Sequence, residues 1–173
     1  STKPIKDLAD LKGLKFRVIQ NKINMDMVAA LGASATPMPY GQVFSALQTG
    51  VIDGAENNAP SYLTSNHYQI AKFYLLDMHQ RVPEVLVMSK VVWDKLSPDD
   101  QKLIKQAAVD SVKTQRELWN KFEKEAMDKV KAAGSTVTEV KDVKPWQAAV
   151  KSVIDKYRAD YKDALEAIDK ARK

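Results

Sequence analysis

The stretch that decides the fold runs from Leu14 to Gly54, "LKFRVIQNKINMDMVAALGASATPMPYGQVFSALQTGVIDG". Its start, Leu14 to Ile19, alternates apolar and basic residues after the Gly13 break and ends in β-branched ones, which predicts a strand. Met25, Val28, Ala29 and Leu31 then fall on one helical face before Gly32, so a short helix with its stop is expected. Pro37 and Pro39 hold "ATPMPY" extended, because each disfavours helix in the residue before it. Val43, Phe44 and Leu47 mark a second short helix that Gly50 terminates, and "VIDG" reads as a short strand or turn. Strand, helix, strand, helix and strand in so few residues predict an α/β unit built on one sheet.

Working outward, helical turns are expected to continue through "PSYLTSNHYQIAKF", and "PEVLVMSK" (Pro83 to Lys90) reads as a buried strand. Ser97, Pro98, Asp99 and Asp100 are an explicit helix start: a cap, a proline at the first position and two acids facing the positive end. Apolar residues then recur in steps of three and four to Gly134, which predicts a rod of about 36 residues, roughly 54 Å long. "STVTEV" is expected as an edge strand, and a final helix spans Trp146 to Ile168. Such a rod outruns the lobe that residues 14 to 90 can build. The expected division is an α/β lobe over 1–96 and a helical scaffold with one short strand over 97–173.

Composition excludes several classes. The chain has 173 residues and no cysteine, which removes disulfides, thiolate catalysis and cysteine-bound zinc or iron–sulfur sites. No apolar run of about 18 residues offers a transmembrane helix. No signal peptide begins at Ser1, so a mature or trimmed chain is expected. The net charge of +5 is spread thin, with lysines alternating with acids at helical spacing, where nucleic-acid binding would cluster its cations. There is no P-loop, GxGxxG, HExxH or GxSxG motif.

The chemistry-bearing residues are few. His67 and His79 lack a metal-binding pattern and read as surface or structural hydrogen-bonders, with no metal and no cofactor expected. Asp53 and Glu56 form a possible carboxylate pair, but acids in a glycine-rich turn usually hold backbone amides. Arg17, in an apolar strand, requires an anionic partner. Two partners stay open: an internal salt bridge to Asp53 or Glu56, or a ligand carboxylate held by the guanidinium fork. Asn57 and Asn58 each donate and accept hydrogen bonds, which suits hydroxyls and carboxylates as well as the turn itself.

"ADLKGLKFRV", "ALGASATPMPYGQVFSALQTGVIDGAENN" and "HYQIAKFYLLDMHQRVPEVLVMSKVVWDKLSPDDQKLI" together resemble the C-terminal part of substrate-binding proteins of tripartite ATP-independent periplasmic (TRAP) transporters, densely over residues 8 to 105. The resemblance implies one lobe of a two-lobed periplasmic-binding-protein-like clamshell, α/β, with a small mixed sheet and long C-terminal helices. It implies a periplasmic receptor, not an enzyme, that passes a carboxylate-bearing solute to membrane permease subunits. "GAENN", "PSY" and "RVPEVLVMSK" look most like members that bind hexuronates. Arg17 stands at the family's ligand-carboxylate arginine and Asn57 at its ligand-contacting asparagine. Gln20 follows the arginine strand, Tyr40 matches a wall position, and Asn58, Glu56 and His79 complete the expected ligand-binding set. An N-terminal lobe is expected to be missing, making this chain a fragment. The competing expectations are an enzyme acting on sugar acids, with His79 or Glu56 as base, and a fragment whose uncovered apolar surface drives homodimer formation.

Overall fold

In the computed structural model, which describes residues 1–171, the "KFRV" stretch is strand β1 (Lys15–Val18) at the centre of a three-stranded sheet. On one side it pairs in parallel with β2 (Ser34–Pro37), Arg17 opposite Thr36; on the other with β3 (Gly54–Ala55), Arg17 opposite Ala55. Helix α1 (Lys22–Ala30) links β1 to β2, as parallel pairing requires a crossover. Asn21 caps it, its Oδ1 accepting the N–H groups of Ile23 at 2.8 Å and Asn24 at 3.4 Å. Helix α2 (Val43–Gln48) links β2 to β3. A Cβ on Gly54 would lie 2.6 Å from the Phe16 ring, so any larger residue there requires that ring to shift.

The two sheet faces bury different cores. Val18, Leu14, Val28 and Leu31 pack with Trp146, while Val43, Leu47, Ile52 and Ala71 form a second cluster. After β3 come α3 (Ala59–Thr64) and a 3-10 turn, His67–Gln69. The helical reading of this region therefore ends too late: Phe73–Leu76 is strand β4, paired in parallel with β5 (Thr136–Glu139) in a separate ladder. "FYLL" lacks the flanking turn signals that mark a strand, and its pairing partner lies about sixty residues away in sequence.

The strand expected over 83–90 does not form. Residues 77–89 carry neither helix nor strand, and Val85, Leu86 and Val87 are 76, 79 and 80% exposed. An apolar, β-prone run makes a strand only where a neighbouring edge accepts its ladder, and none lies beside it among the described residues.

Short helix α4 (Lys90–Trp93) leads to α5 (Pro98–Ala132), the expected rod at 35 residues, capped by Ser97 Oγ on the Asp100 N–H at 3.1 Å. Of this rod only Ala126 and Val130 are buried. The final helix is two, α6 (Lys144–Tyr157) and α7 (Lys162–Ala171), a break that the continuing apolar spacing conceals. The later elements each rest on an earlier one: α5 on α3, β5 on β4, and α6 on α1. Lys156 Nζ and Tyr157 OH both reach Asp26 Oδ2, at 2.6 and 2.7 Å, and pin the end of α6 to α1.

Candidate functional site

Parallel strands aim their carboxyl ends at one edge, where side chains from several strands converge. At that edge β1 supplies Arg17 and the residues after β3 supply Glu56 and Asn57. Arg17 is only 6% exposed. Its Nε donates to the Met38 carbonyl oxygen at 3.1 Å, which fixes the planar group, and its central carbon lies 5.5 Å from the Tyr40 ring centroid, within cation–π range.

The expected alternative of an internal salt bridge is overturned. Asp53 instead binds Lys3 Nζ at 3.0 Å and accepts the Lys15 N–H at 2.9 Å, contacts that lower its pKa, the Lys15 hydrogen bond most. Glu56 forms no ion pair with Arg17; burial raises its pKa, and the charges of His79 and Arg17 offset this in part. Among the described residues no carboxylate lies within 4.0 Å of the Arg17 guanidinium nitrogens.

Tyr40 ties the group together. Its hydroxyl accepts from Asn57 Nδ2 at 3.3 Å and shares a 2.6 Å hydrogen bond with Ser65 Oγ. Asn57 is held from behind, its Oδ1 accepting the Asn58 N–H at 2.9 Å and its carbonyl oxygen accepting from Tyr74 OH at 2.9 Å. The His67 ring meets Tyr40 edge-on at 5.7 Å; burial first, and then repulsion from Arg17, lowers its pKa, so the ring beside the guanidinium is held neutral. Arg17, Tyr40 and Asn57 are thus brought together. Ser65 and His67 complete the group, and their spacing from Tyr40 carries no signal of it.

The remaining expected residues make no hydrogen bond or ion pair with Arg17 or Tyr40 among the described residues. Asn58 Oδ1 accepts the Ser61 N–H at 2.9 Å and caps α3. Gln20 is exposed in the bend between β1 and α1. His79 Nδ1 bonds Asp77 Oδ1 at 2.6 Å; burial opposes its protonation, but Asp77 and then Glu56 raise its pKa overall. Glu56, Asp77 and His79 line a cavity of about 80 Å³ together with Phe16 and Asn57; Phe16 and Arg17, adjacent on β1, point to opposite faces, and the cavity reaches the Arg17 group at Asn57. No cluster of three or more His, Cys, Asp or Glu suited to a metal occurs among the described residues, nor any helix long and apolar enough to cross a membrane.

Residues 1–160 match the bacterial extracellular solute-binding protein, family 7. The chain belongs to that family. A TRAP periplasmic solute-binding protein from Pseudomonas putida F1, solved with bound D-glucuronate, is 46% identical and superposes with a TM-score of 0.93, covering 98% of this chain and 55% of its own. One from a Bradyrhizobium species, in complex with α/β-D-galacturonate, is 50% identical with a TM-score of 0.87 over 92% of this chain and 53% of its own. A solute-binding protein of Chromohalobacter salexigens is 40% identical over 165 residues, 95% of this chain and 49% of the relative. The chain spans about half the length of these relatives, which are solute-binding proteins.

Proposed function

We propose that this chain is one lobe of a periplasmic TRAP solute receptor that binds a hexuronate and delivers it to membrane permease subunits, without catalysis or cofactor. One observation carries the reading: Arg17 is buried at the carboxyl edge of the sheet, its plane fixed by Met38 and Tyr40, and no protein carboxylate among the described residues neutralises it. A buried guanidinium left unpaired costs several kcal/mol, a cost that an arriving anion relieves. The D-glucuronate and D-galacturonate bound to the similar solved proteins support a sugar acid as that anion.

In this reading Arg17 forks the carboxylate, Asn57 and Gln20 take hydroxyls or the second carboxylate oxygen, and Tyr40 packs on the sugar ring. The absent half of the relatives' length supplies an opposing lobe, and the exposed Val85–Val87 run belongs under it. The chain alone binds weakly, because a half-site leaves most of the ligand in water. Calorimetry with D-glucuronate and D-galacturonate on the two-lobed protein tests the assignment. Arg17→Lys keeps the charge but loses the planar fork, and affinity is expected to fall at least about tenfold. Unchanged affinity removes Arg17 from the site.

A further inference from the structure

Around the Tyr40 ring one buried polar group has no partner of its own. His67 is 5% exposed, yet among the described residues its imidazole nitrogens make no hydrogen bond and no ion pair. Neither nitrogen is fully enclosed, because every fully enclosed side-chain nitrogen and oxygen among the described residues has a partner. Buried polar groups are ordinarily satisfied, so the polar edge of this ring is open to a group that the chain does not supply.

The backbone holds the ring where it is. Asn66 takes a left-handed conformation, φ 58°, which asparagine tolerates, and turns the chain out of α3 into the His67–Gln69 turn. The His67 carbonyl oxygen then accepts the N–H groups of Ile70 at 3.1 Å and Ala71 at 2.9 Å. Two residues upstream, Ser65 is bonded to the Tyr40 hydroxyl. Arg17 and His67 thus share one neighbour: the guanidinium carbon lies 5.5 Å and the imidazole centroid 5.7 Å from the centre of the Tyr40 ring.

No acid balances this pair. Of the elements packed on the His67–Gln69 turn, α2 carries no titratable residue, and α3 brings only Tyr62, whose hydroxyl is taken up by the Ala71 carbonyl oxygen and Ser135 Oγ. Tyr68 lies in the turn itself, with its ring edge-on to Tyr62. Arg17 is the charge that His67 feels, and it opposes a second positive charge, as burial does more strongly. An anion seated on Arg17 reverses the sign of that field.

We infer that His67 belongs to the ligand site: a sugar acid arriving at Arg17 draws a proton from solvent onto the free nitrogen of the His67 ring, so the receptor takes up its anion together with a proton. The inference rests on the reading of Arg17 as the carboxylate anchor. By linkage, a proton that binds more tightly in the presence of the anion makes the anion bind more tightly in the presence of the proton. A sugar carboxylate stays ionised above about pH 5, so the change in charge over the neutral range lies on the protein.

The test is calorimetry of D-glucuronate binding to the two-lobed protein at about pH 5.5 and about pH 8, on either side of the ordinary histidine range, with the histidine ring signals followed by NMR. Affinity is expected to be about fivefold higher at the lower pH. The imidazole signal with a nuclear Overhauser contact to the Tyr40 ring identifies His67, and it is expected to titrate at higher pH in saturating D-glucuronate than without it. A His67 titration that D-glucuronate leaves unmoved overturns the inference with no substitution needed. His67→Gln places a side chain that takes no proton there, and is expected to bring the affinity ratio between the two pH values to about one. A ratio that persists in His67→Gln assigns the proton to Glu56 or His79 and overturns the inference. Equal affinity of the unsubstituted protein at both pH values overturns it while the receptor reading stands, whereas no uronate binding at either pH overturns both.

Discussion

The β1–β3 unit and the stretch from Asp77 through the first two-thirds of α5 both carry large apolar side chains, which meet opposite fates. In the first, Val18, Val43 and Ile52 are between 0 and 1% exposed. In the second, Leu86, Val91, Leu103 and Leu118 are exposed by 79, 67, 69 and 61%. The first region is complete within the chain: every strand finds a neighbour and every helix a sheet face. In the second, these apolar side chains find no cover among the described residues. Exposed apolar surface on this scale marks an interaction face.

The largest test of that contrast pairs two truncations. Ile52→Ala empties a fully packed site and is expected to cost about 3 kcal/mol, read as a lower denaturation midpoint. Leu86→Ser is expected to change stability by less than about 0.5 kcal/mol while reducing concentration-dependent self-association in sedimentation. If Leu86→Ser instead costs as much as Ile52→Ala, the second region is packed after all and the contrast fails.

The next effect concerns two glycines. Gly54→Ala drives a methyl into the Phe16 ring and is expected to cost roughly 1 to 3 kcal/mol, partly recovered by the double variant with Phe16→Leu. A methyl at Gly41 would meet nothing within 4 Å, and Gly41→Ala is expected to be near neutral by the same thermal measurement. Smaller still, Asn58→Ala is expected to cost about 1 kcal/mol through loss of the α3 cap. In the two-lobed protein it also separates roles: stability lost with uronate affinity retained makes Asn58 a cap alone, whereas affinity lost in excess makes it a ligand contact.

Local rules account for what could be read in advance. The helix starting at Ser97 was legible because cap, proline and acids sit within four residues, and the β1–α1–β2–α2–β3 order because glycines and prolines punctuate it. The failures are non-local. β4 exists because β5 comes to it, and 83–90 is no strand because nothing comes to it; neither fact is written in the segment itself. Of the candidate site, Arg17 and Asn57 stand out as residue types, while Tyr40 enters only through the family resemblance. His79 lies with Phe16, across β1 from Arg17, in a cavity that reaches the group only at Asn57.

The two histidines allow the finest comparison, because each sits on one face of β1 and they titrate in opposite senses. His67, buried beside Arg17, has its folded pKa lowered below the usual 6.5. The unfolded chain then takes up the proton first, so the stability that this residue leaves intact above 6.5 is lost as pH falls below it. His79, though partly buried, has its pKa raised by Asp77 and Glu56. Its contribution is full below 6.5 and is lost as pH rises through the folded value. Thermal midpoints are therefore expected to decline on both sides of about pH 6.5 from these two groups. His79→Gln is expected to flatten only the alkaline limb and His67→Gln only the acid limb. A single variant that flattens both limbs means that the two rings share one electrostatic environment, and the separation of the Arg17 face from the Phe16 face is then wrong.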